Sequence, residues 1–390
     1  MKHANDGQCP LTGLVLTGGG ARAAYQVGVL KAILELQPDP KCNPFPIICG
    51  TSAGAINAAA LACHASDFSQ GVQYLRGIWE NFHAHEVYRS DPVGIAITGA
   101  HWLGALMLSW VIRRTPKSLL NNEPLEKLIR DGPKLERIGQ AIDEGALRAI
   151  CITASGYSSS QSVNFYDGIE TIKPWTRHAR TSSRCKITVE HLMASSAIPF
   201  IFPAVKVDNE FFGDGSMRQL APISPAIHLG ATKILVIGAG RMREPEQTKN
   251  HNASYPSLAQ VGGHVLSSIF LDSLNVDIER VQRINHTLSL LPEEKRADAA
   301  LRPVDILVIA PSERLDTLAA AHVNSLPWAV RALMRGIGAM NSKGSALVSY
   351  LLFESDYTRA LIDLGYHDTM RRREEVRQFL GLDQVNERIV

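Results

Sequence analysis

The sequence predicts an α/β fold with a mainly parallel central sheet and helices on both faces of that sheet. Short apolar runs alternate along the chain with segments whose apolar residues recur at helical spacing, which is typical of α/β proteins. The strand-like runs are apolar throughout, as expected for strands that helices cover on both sides. The chain has 390 residues, 45% of them hydrophobic, which is enough for one large core or two smaller ones.

The composition excludes several classes of partner and site. A net charge of +2 arises from 40 basic and 38 acidic residues that are mostly interspersed, so we expect no nucleic-acid partner. The six cysteines lack the paired spacing of a zinc site and fit a reducing compartment. Residues Met1–Pro10 are polar and lack the apolar region of a secretory signal. We therefore expect a cytoplasmic protein, which is compatible with peripheral contact to a membrane.

The first predicted strand, Leu11–Thr17, leads into a glycine loop and then a helix that ends near Pro38. The loop reads Gly18-Gly19-Gly20-Ala21-Arg22. Successive backbone N–H groups at a helix N-terminus bind anions, either a dinucleotide pyrophosphate or the oxyanion of a reaction intermediate. The dinucleotide alternative is weaker, because Glu35 falls inside the helical pattern and Asp39 stands between two prolines. We expect neither a cofactor nor a metal.

The apolar run Phe45–Cys49 and the Ala-rich run Ala55–Cys63 predict a second strand and helix. The turn between them reads Gly50-Thr51-Ser52-Ala53-Gly54, which we call the elbow. Such a turn exposes a serine hydroxyl, and the helix N-terminus faces the place where an oxyanion would form. Ser52 is therefore a candidate nucleophile. A simple glycine-flanked turn is the alternative, because G-x-S-x-G occurs often by chance.

Residues Val93–Ile112 form a run without Asp, Glu, Lys or Arg. Its length could span a bilayer, but Gly94, Gly99, His101 and Gly104 weaken that interpretation. We favour a lid or a membrane-facing flap over a transmembrane span. A segment buried in the core is the remaining alternative.

The second half of the chain continues the alternation. The predicted strands are Ala149–Ser155, Ser162–Tyr166, Phe211–Phe212, Lys233–Gly238 and Asp305–Ala310, with a helix over Val189–Ser196 and a helical C-terminal region from His322. Asp214 follows one of these strands in the sequence Asp214-Gly215-Ser216. It is either a solvated turn residue or the base for Ser52, and sequence spacing does not decide between them.

Four motifs in this order resemble the bacterial patatin-like phospholipases. They are the glycine loop, the elbow, Asp214-Gly215, and the segment Ala194-Ser195-Ser196-Ala197-Ile198-Pro199 with Phe202-Pro203. The joint match covers roughly residues 11–240 and is more specific than any single motif. Two positions depart from the family pattern, which usually has Gly at Ala23 and Gly or Ala at Ser216.

The resemblance implies a three-layer α/β/α fold with a helical C-terminal extension. It also implies hydrolysis of lipid esters by a Ser52–Asp214 dyad, with N–H groups of the Gly18–Arg22 loop as the oxyanion hole. The substrate would be a phospholipid, a lysophospholipid or a neutral ester, taken from a membrane by peripheral contact. We expect a catalytic domain over residues 11–240, with an insertion at about 91–115, and a remaining region 241–390 packed on the same core.

Two alternatives to this mechanism stay open. One is an esterase with a Ser-His-Asp triad, for which His228 and His264 are the histidines to test. The other is a non-catalytic regulator built on the same fold.

Overall fold

A computed structural model describes residues 11–91, 94, 118–241, 255–292, 295–296, 301–336, 338–340 and 345–382. Ten strands in this part of the chain form one sheet, in which β10-β9-β1-β2-β3-β4-β6-β5 are neighbours and β8 pairs with both β3 and β7. The strands are β1 Thr12–Leu16, β2 Ile47–Thr51, β3 Ala149–Gly156, β4 Ser162–Gly168, β5 Thr176–Arg177, β6 Arg180–Arg184, β7 Val205–Val207, β8 Glu210–Asp214, β9 Lys233–Ile237 and β10 Asp305–Ile309.

Helices surround this sheet. They are α1 Ala24–Leu36, α2 Ala53–Ala62, α3 Phe68–Trp79, α4 Glu123–Asp131, α5 Arg137–Asp143, α6 Val189–Ser195, α7 Ser224–Leu229, α8 Leu258–Ser267, α9 Ser273–Ser289, α10 Leu315–His322, α11 Trp328–Gly336, α12 Ser345–Leu351, α13 Ser355–Arg371 and α14 Arg373–Leu380. A turn of π-helix, Ser268–Asp272, connects α8 to α9.

The strands from β10 to β3 run parallel, and their side chains alternate between two cores. Leu14 and Leu16 of β1 belong to the larger core with α1 and α2, whereas Val15 belongs to the smaller core with α7 and α9. This alternation follows from the two-residue period of a strand. The predicted mainly parallel sheet between two helical layers is confirmed.

Strand β8 lies directly beyond the C-terminal end of β2. Thr51, the last residue of β2, pairs with Thr153 of β3, and the next residue of β3, Ala154, pairs with Asp214 of β8. Since β4 occupies the other edge of β3 along its whole length, β8 must lie on the same side as β2. This pairing brings Asp214 next to Ser52 at the end of β2, although 162 residues separate them in sequence.

Helix α13 packs tightly on α1. A Cβ added at Gly28 would lie 1.9 Å from the carbonyl oxygen of Ile362, and one at Gly365 would lie 2.2 Å from that of Tyr25. The absence of side chains at these two positions lets the helix backbones approach closely. Tyr25 also donates to Asp368 at 3.0 Å. The C-terminal helices therefore share the main core, while a domain division near residue 240 stays a prediction.

Every strand that the sequence predicted is present, with ends that differ by one or two residues. The short strands β5, β6 and β7 were not predicted, because they have few buried side chains and little apolar pattern. The segment Val93–Ile112, except Gly94, lies outside the described residues, so its interpretation as a flap stays a prediction. Within the described ranges, none of the helices has the length and apolar character needed to cross a bilayer.

Candidate active site

Ser52 occupies a strained elbow between β2 and α2. Its φ and ψ angles are 57° and −132°, a region that non-glycine residues adopt at a cost of order 1–3 kcal/mol. The two flanking glycines allow this turn. A Cβ at Gly54 would lie 2.4 Å from the carbonyl oxygen of Leu16, and one at Gly50 would lie 2.4 Å from that of Gly54. The predicted strand, sharp turn and helix are therefore present, with Ser52 at the turn.

Ser195, at the end of α6, holds the elbow against the sheet. Its hydroxyl accepts a hydrogen bond from the Ser52 backbone N–H at 2.9 Å and donates one to the Thr153 carbonyl at 2.7 Å. Ser195 is fully buried, so both bonds lie in a low-dielectric environment. They fix the backbone of Ser52 relative to β3 and compensate part of the strain in the turn.

Asp214 is fully buried beside Ser52. Its backbone N–H donates to the Ala197 carbonyl at 2.9 Å, and its Oδ1 accepts from the Ser216 N–H at 2.9 Å. The interpretation of Asp214 as a solvated turn residue is therefore wrong. Oδ2 has no hydrogen bond of standard geometry from the described residues, although the Ser52 hydroxyl lies near enough to act on the carboxyl group. Such contacts are often loose without substrate.

Burial raises the pKa of Asp214 to about 6. Three hydrogen-bonding interactions oppose that rise, one from the Ser52 side chain and two from the backbone and hydroxyl of Ser216. The ordinary value for an aspartate is 3.8. An aspartate with a pKa near 6 accepts a proton much more readily, yet still ionises at neutral pH, which is what a general base requires.

The glycine loop, Gly18–Arg22, lies next to the elbow, and Gly20 and Ser52 line the same channel. Gly20 has a φ of 54°. The Arg22 backbone N–H donates to the Gly19 carbonyl at 3.1 Å. Arg22 therefore uses its N–H inside the loop, and we leave it out of the proposed oxyanion hole. Within the described residues, the N–H groups of Gly18, Gly19 and Gly20 make no hydrogen bond.

The Arg22 side chain is buried, with 5% of its surface exposed. Arg22 is therefore not a surface arginine. The guanidinium donates to Ser349 and Tyr350 of α12 rather than extending into solvent. Ala23, which departs from the family pattern, is fully buried in the turn before α1, where its carbonyl accepts from Asn57 at 3.3 Å.

An apolar channel opens on Ser52. Its walls come mainly from α2, α3, α4 and the 196–202 segment, including Ile56, Leu75, Trp79, Leu125, Ile129 and Phe202. One polar wall residue, Asn57, is satisfied internally, because it bonds to Gln26 at 2.9 Å and to Trp79 at 2.8 Å. Apart from Tyr74 and Ser196, the channel wall up to the serine hydroxyl is therefore mainly hydrocarbon, which suits a long aliphatic chain.

The two histidines proposed for a triad contact other groups. The His228 ring stacks on Trp175 at 4.9 Å, and burial together with nearby arginines lowers its pKa to about 4. His264 lines a separate polar cavity that also contains Arg314. No histidine of the described ranges lines the channel at Ser52.

Sequence reasoning missed two contributors to this site. It quoted Ser195 within a motif without giving it a role, and only the fold shows that its hydroxyl reaches Ser52. It also missed a chain of side chains under the elbow, in which Thr51 donates to Gln219 at 2.9 Å and Gln219 donates to Thr153 at 3.1 Å. Gln219 is close in sequence to Asp214, but it is not part of a recognisable pattern.

Several curated proteins are similar to part of this chain. The chain is similar to the uncharacterized protein YjjU of Escherichia coli K12, with 24% identity over 57% of this chain and 50% of that protein. It is also similar to a cGAMP-activated phospholipase of Pseudomonas aeruginosa, with 25% identity over 54% of this chain and 53% of that enzyme. The chain thus spans about half the length of these curated relatives.

More distant similarities extend to animal enzymes. Calcium-independent phospholipase A2-gamma of Oryctolagus cuniculus is 21% identical over 65% of this chain and 31% of that protein. The structure of human GIVD cytosolic phospholipase A2 aligns over 96% of this chain and 60% of that one, with 11% identity and a TM-score of 0.45. The fold assignment does not rest on that structural likeness.

The family model described as patatin-like phospholipase matches residues 14–227, which is more than half of the chain. This match begins in β1, ends in α7, and includes the glycine loop, Ser52, Ser195 and Asp214. The chain therefore belongs to the patatin-like phospholipase family.

Proposed function

We propose that the protein is a serine acyl hydrolase that cleaves ester bonds of lipids, of the phospholipase A or lysophospholipase type. The observation that carries this proposal is a strained serine that lines an apolar channel and lies beside a buried aspartate. Hydrolysis of lipid esters is also the activity that the names of the phospholipase relatives indicate.

In the proposed mechanism, Asp214 takes the proton of the Ser52 hydroxyl as its Oγ attacks the ester carbonyl. N–H groups of Gly18–Ala21 would stabilise the resulting oxyanion, together with the N-terminus of α2. Collapse of the tetrahedral intermediate expels the alcohol, which receives the proton from Asp214, and leaves the acyl group on Ser52. Asp214 then takes a proton from a water molecule as the water oxygen attacks the acyl carbonyl. The fatty acid is released when the bond to Ser52 Oγ breaks, and Asp214 returns the proton to that oxygen.

A dyad explains this site better than a triad. The carboxyl group of Asp214 lies beside Ser52, whereas the pKa of about 4 and the Trp175 contact of His228 fit a structural role. The raised pKa of Asp214 supplies the basicity that an imidazole would otherwise provide.

We further propose that the protein takes its substrate from a membrane surface. Phe200 supports this proposal, because it lies between the channel residues Ile198 and Phe202, yet 77% of its surface is exposed. It also has a φ of 65°, a conformation that is unfavourable for an aromatic residue. An exposed phenyl group beside the channel fits insertion among lipids. The prediction of a membrane-facing flap at the uncharged run Val93–Ile112 is compatible with this proposal.

The decisive experiment measures fatty-acid release from phospholipids, lysophospholipids and neutral glycerides by the wild type, Ser52→Ala and Asp214→Asn. We expect each variant to lose activity to the level of the double variant, because the two residues act as a unit. A fluorophosphonate reagent should label the wild type at Ser52 and leave Ser52→Ala unlabelled. Hydrolysis by both single variants at the wild-type rate would refute the dyad.

A further inference from the structure

The outer side of the glycine loop is covered by residues from beyond the family-matched stretch. A Cβ at Gly20 would lie 2.2 Å from the Tyr350 carbonyl oxygen in α12, and one at Gly18 would lie 2.7 Å from the Phe270 ring in the π-helical turn. Phe270 and Tyr350 stack on each other at 5.2 Å. These contacts leave the loop little room to move away from the elbow.

Arg22 connects the loop to α12 through three hydrogen bonds. Its Nε and Nη2 donate to the Ser349 hydroxyl at 2.9 and 2.6 Å, and its Nη1 donates to the Tyr350 hydroxyl at 3.0 Å. The guanidinium also lies over the Tyr350 ring, 3.9 Å from its centroid. Ser349 and Tyr350 are both fully buried. Bonds from a buried cation are stronger than bonds between neutral groups, so this cluster is a firm attachment.

Both partners are themselves held in place. The Ser349 hydroxyl donates to the Ala346 carbonyl at 2.6 Å within α12. The Tyr350 hydroxyl contacts Ser267 of α8 at 3.4 Å. Because Arg22 bonds to these two residues, the position of the glycine loop depends on the positions of α8 and α12.

We propose that Arg22, Ser349 and Tyr350 form a brace that positions the oxyanion-binding N–H groups of the glycine loop. This inference rests on the proposed hydrolase function. A loop with three consecutive glycines has many accessible conformations, whereas donors to an oxyanion act only when they are fixed where the charge develops. The brace removes that freedom. Arg22 is a positioning residue here, since its backbone N–H and its guanidinium both bond within the protein.

The experiment compares two tyrosine-to-phenylalanine variants. Tyr350→Phe removes one bond to Arg22 but keeps the ring that stacks on Phe270. Tyr357→Phe is the matched control, because Tyr357 is also fully buried and its hydroxyl bonds to the Leu315 carbonyl at 3.2 Å instead. Ser349→Ala removes the other acceptor of Arg22. The readouts are kcat and KM on a soluble fatty-acid ester and the melting temperature.

We expect Tyr350→Phe and Ser349→Ala to lower kcat by about 10- to 100-fold with KM nearly unchanged, because a displaced oxyanion donor affects mainly the transition state. Tyr357→Phe should lower the melting temperature by a similar amount and leave kcat unchanged. Wild-type kcat in both test variants, or a loss of kcat equal to that of Tyr357→Phe, would overturn the brace. Failure of both test variants to fold would overturn it as well, since the cluster would then act on folding.

The same measurement separates this inference from the proposed function. If the wild type does not hydrolyse esters, the hydrolase proposal fails before the variants are compared. If the wild type is active and the Tyr350→Phe and Tyr357→Phe variants behave alike, only the brace fails.

Discussion

The glycine loop and the elbow are two similar turns with different supports. Each follows a central parallel strand, contains glycine and leads into a buried helix. The elbow is held from within the family-matched stretch, where Ser195 joins it to β3 and a close approach to β1 requires Gly54. The glycine loop is held mainly from outside that stretch, by Arg22 bonds to α12 and by the Phe270 ring.

The two turns therefore depend on different parts of the fold. The proposed nucleophile, Ser52, is attached to the central sheet through Ser195 and β3. The glycine loop, which holds the proposed oxyanion donors, is attached to helices that lie outside the sheet, so a forced contact there can be relieved without breaking strand pairing. Substitutions in the two turns should therefore affect stability and catalysis in different proportions.

The largest effect is expected at the two crowded glycines. Gly54→Ala would place a Cβ against the carbonyls of Leu16, the last residue of β1, and of Thr17. These carbonyls cannot move without disturbing the sheet, so we expect a loss of more than ~3 kcal/mol of stability. Gly20→Ala meets the Tyr350 carbonyl, and α12 can shift to relieve part of that contact. Gly20→Ala should therefore lose less stability, ~1–3 kcal/mol, although it should abolish hydrolysis. Urea unfolding and kcat of both variants give the comparison, and equal stability losses would contradict it.

Ser195→Ala should lower kcat by about 10- to 100-fold, because the Ser52 N–H loses its buried acceptor and the elbow can rotate. Ser182→Ala is a matched control, since the Ser182 hydroxyl also bridges a backbone N–H and carbonyl, both of Trp175, at 2.7 and 3.0 Å. Its loss of stability should be comparable, without a change in kcat. Equal kcat values for the two variants would show that Ser195 does not position the nucleophile.

Asp214 should produce opposite effects of pH on activity and on stability. Activity should rise tenfold per pH unit up to about pH 6 and then level off, because the base must be ionised. The free energy of unfolding should fall over the pH range in which activity rises. The folded-state pKa of Asp214 lies above the ordinary 3.8, so the folded state binds the proton more tightly than the unfolded state does. The contribution of this proton to the free energy of unfolding is therefore present below about pH 4 and is lost as the pH rises from about 4 to 6.

The same linkage predicts that Asp214→Asn is inactive but more stable than the wild type above pH 6. The difference should approach ~3 kcal/mol at pH 8 and vanish below pH 4. Melting temperatures of both proteins across this range provide the measurement. A variant that is less stable than the wild type at pH 8 would contradict burial as the cause of the raised pKa.

The smallest effect is expected at Ser216, where the family usually has Gly or Ala. Its hydroxyl lowers the Asp214 pKa, although less than Ser52 does. Ser216→Ala should therefore move the acid limb of the activity profile to higher pH by a few tenths of a unit and leave the maximal rate unchanged. A limb that stays in place would show that the Ser216 hydroxyl does not act on Asp214.

Much of the site could be predicted from local sequence. The apolar runs before Gly18 and Gly50 identify β1 and β2, and the glycines after them require tight turns, because only these residues allow the close approaches seen at Gly20 and Gly54. These features depend on neighbours within a few positions along the chain. The place of Ser52 at a strand-to-helix turn was therefore determined by the sequence alone.

Only the tertiary structure decided what surrounds those turns. Asp214 reads as an ordinary turn residue in sequence, and its carboxyl group is buried beside Ser52 because β8 pairs with β3 just beyond the end of β2. Arg22 has a polar side chain in a glycine-rich loop, and it is buried because α12, more than 320 residues later, supplies Ser349 and Tyr350. Burial and charge environment depend on contacts between residues distant in sequence, and local pattern carries no information about which distant segments will meet.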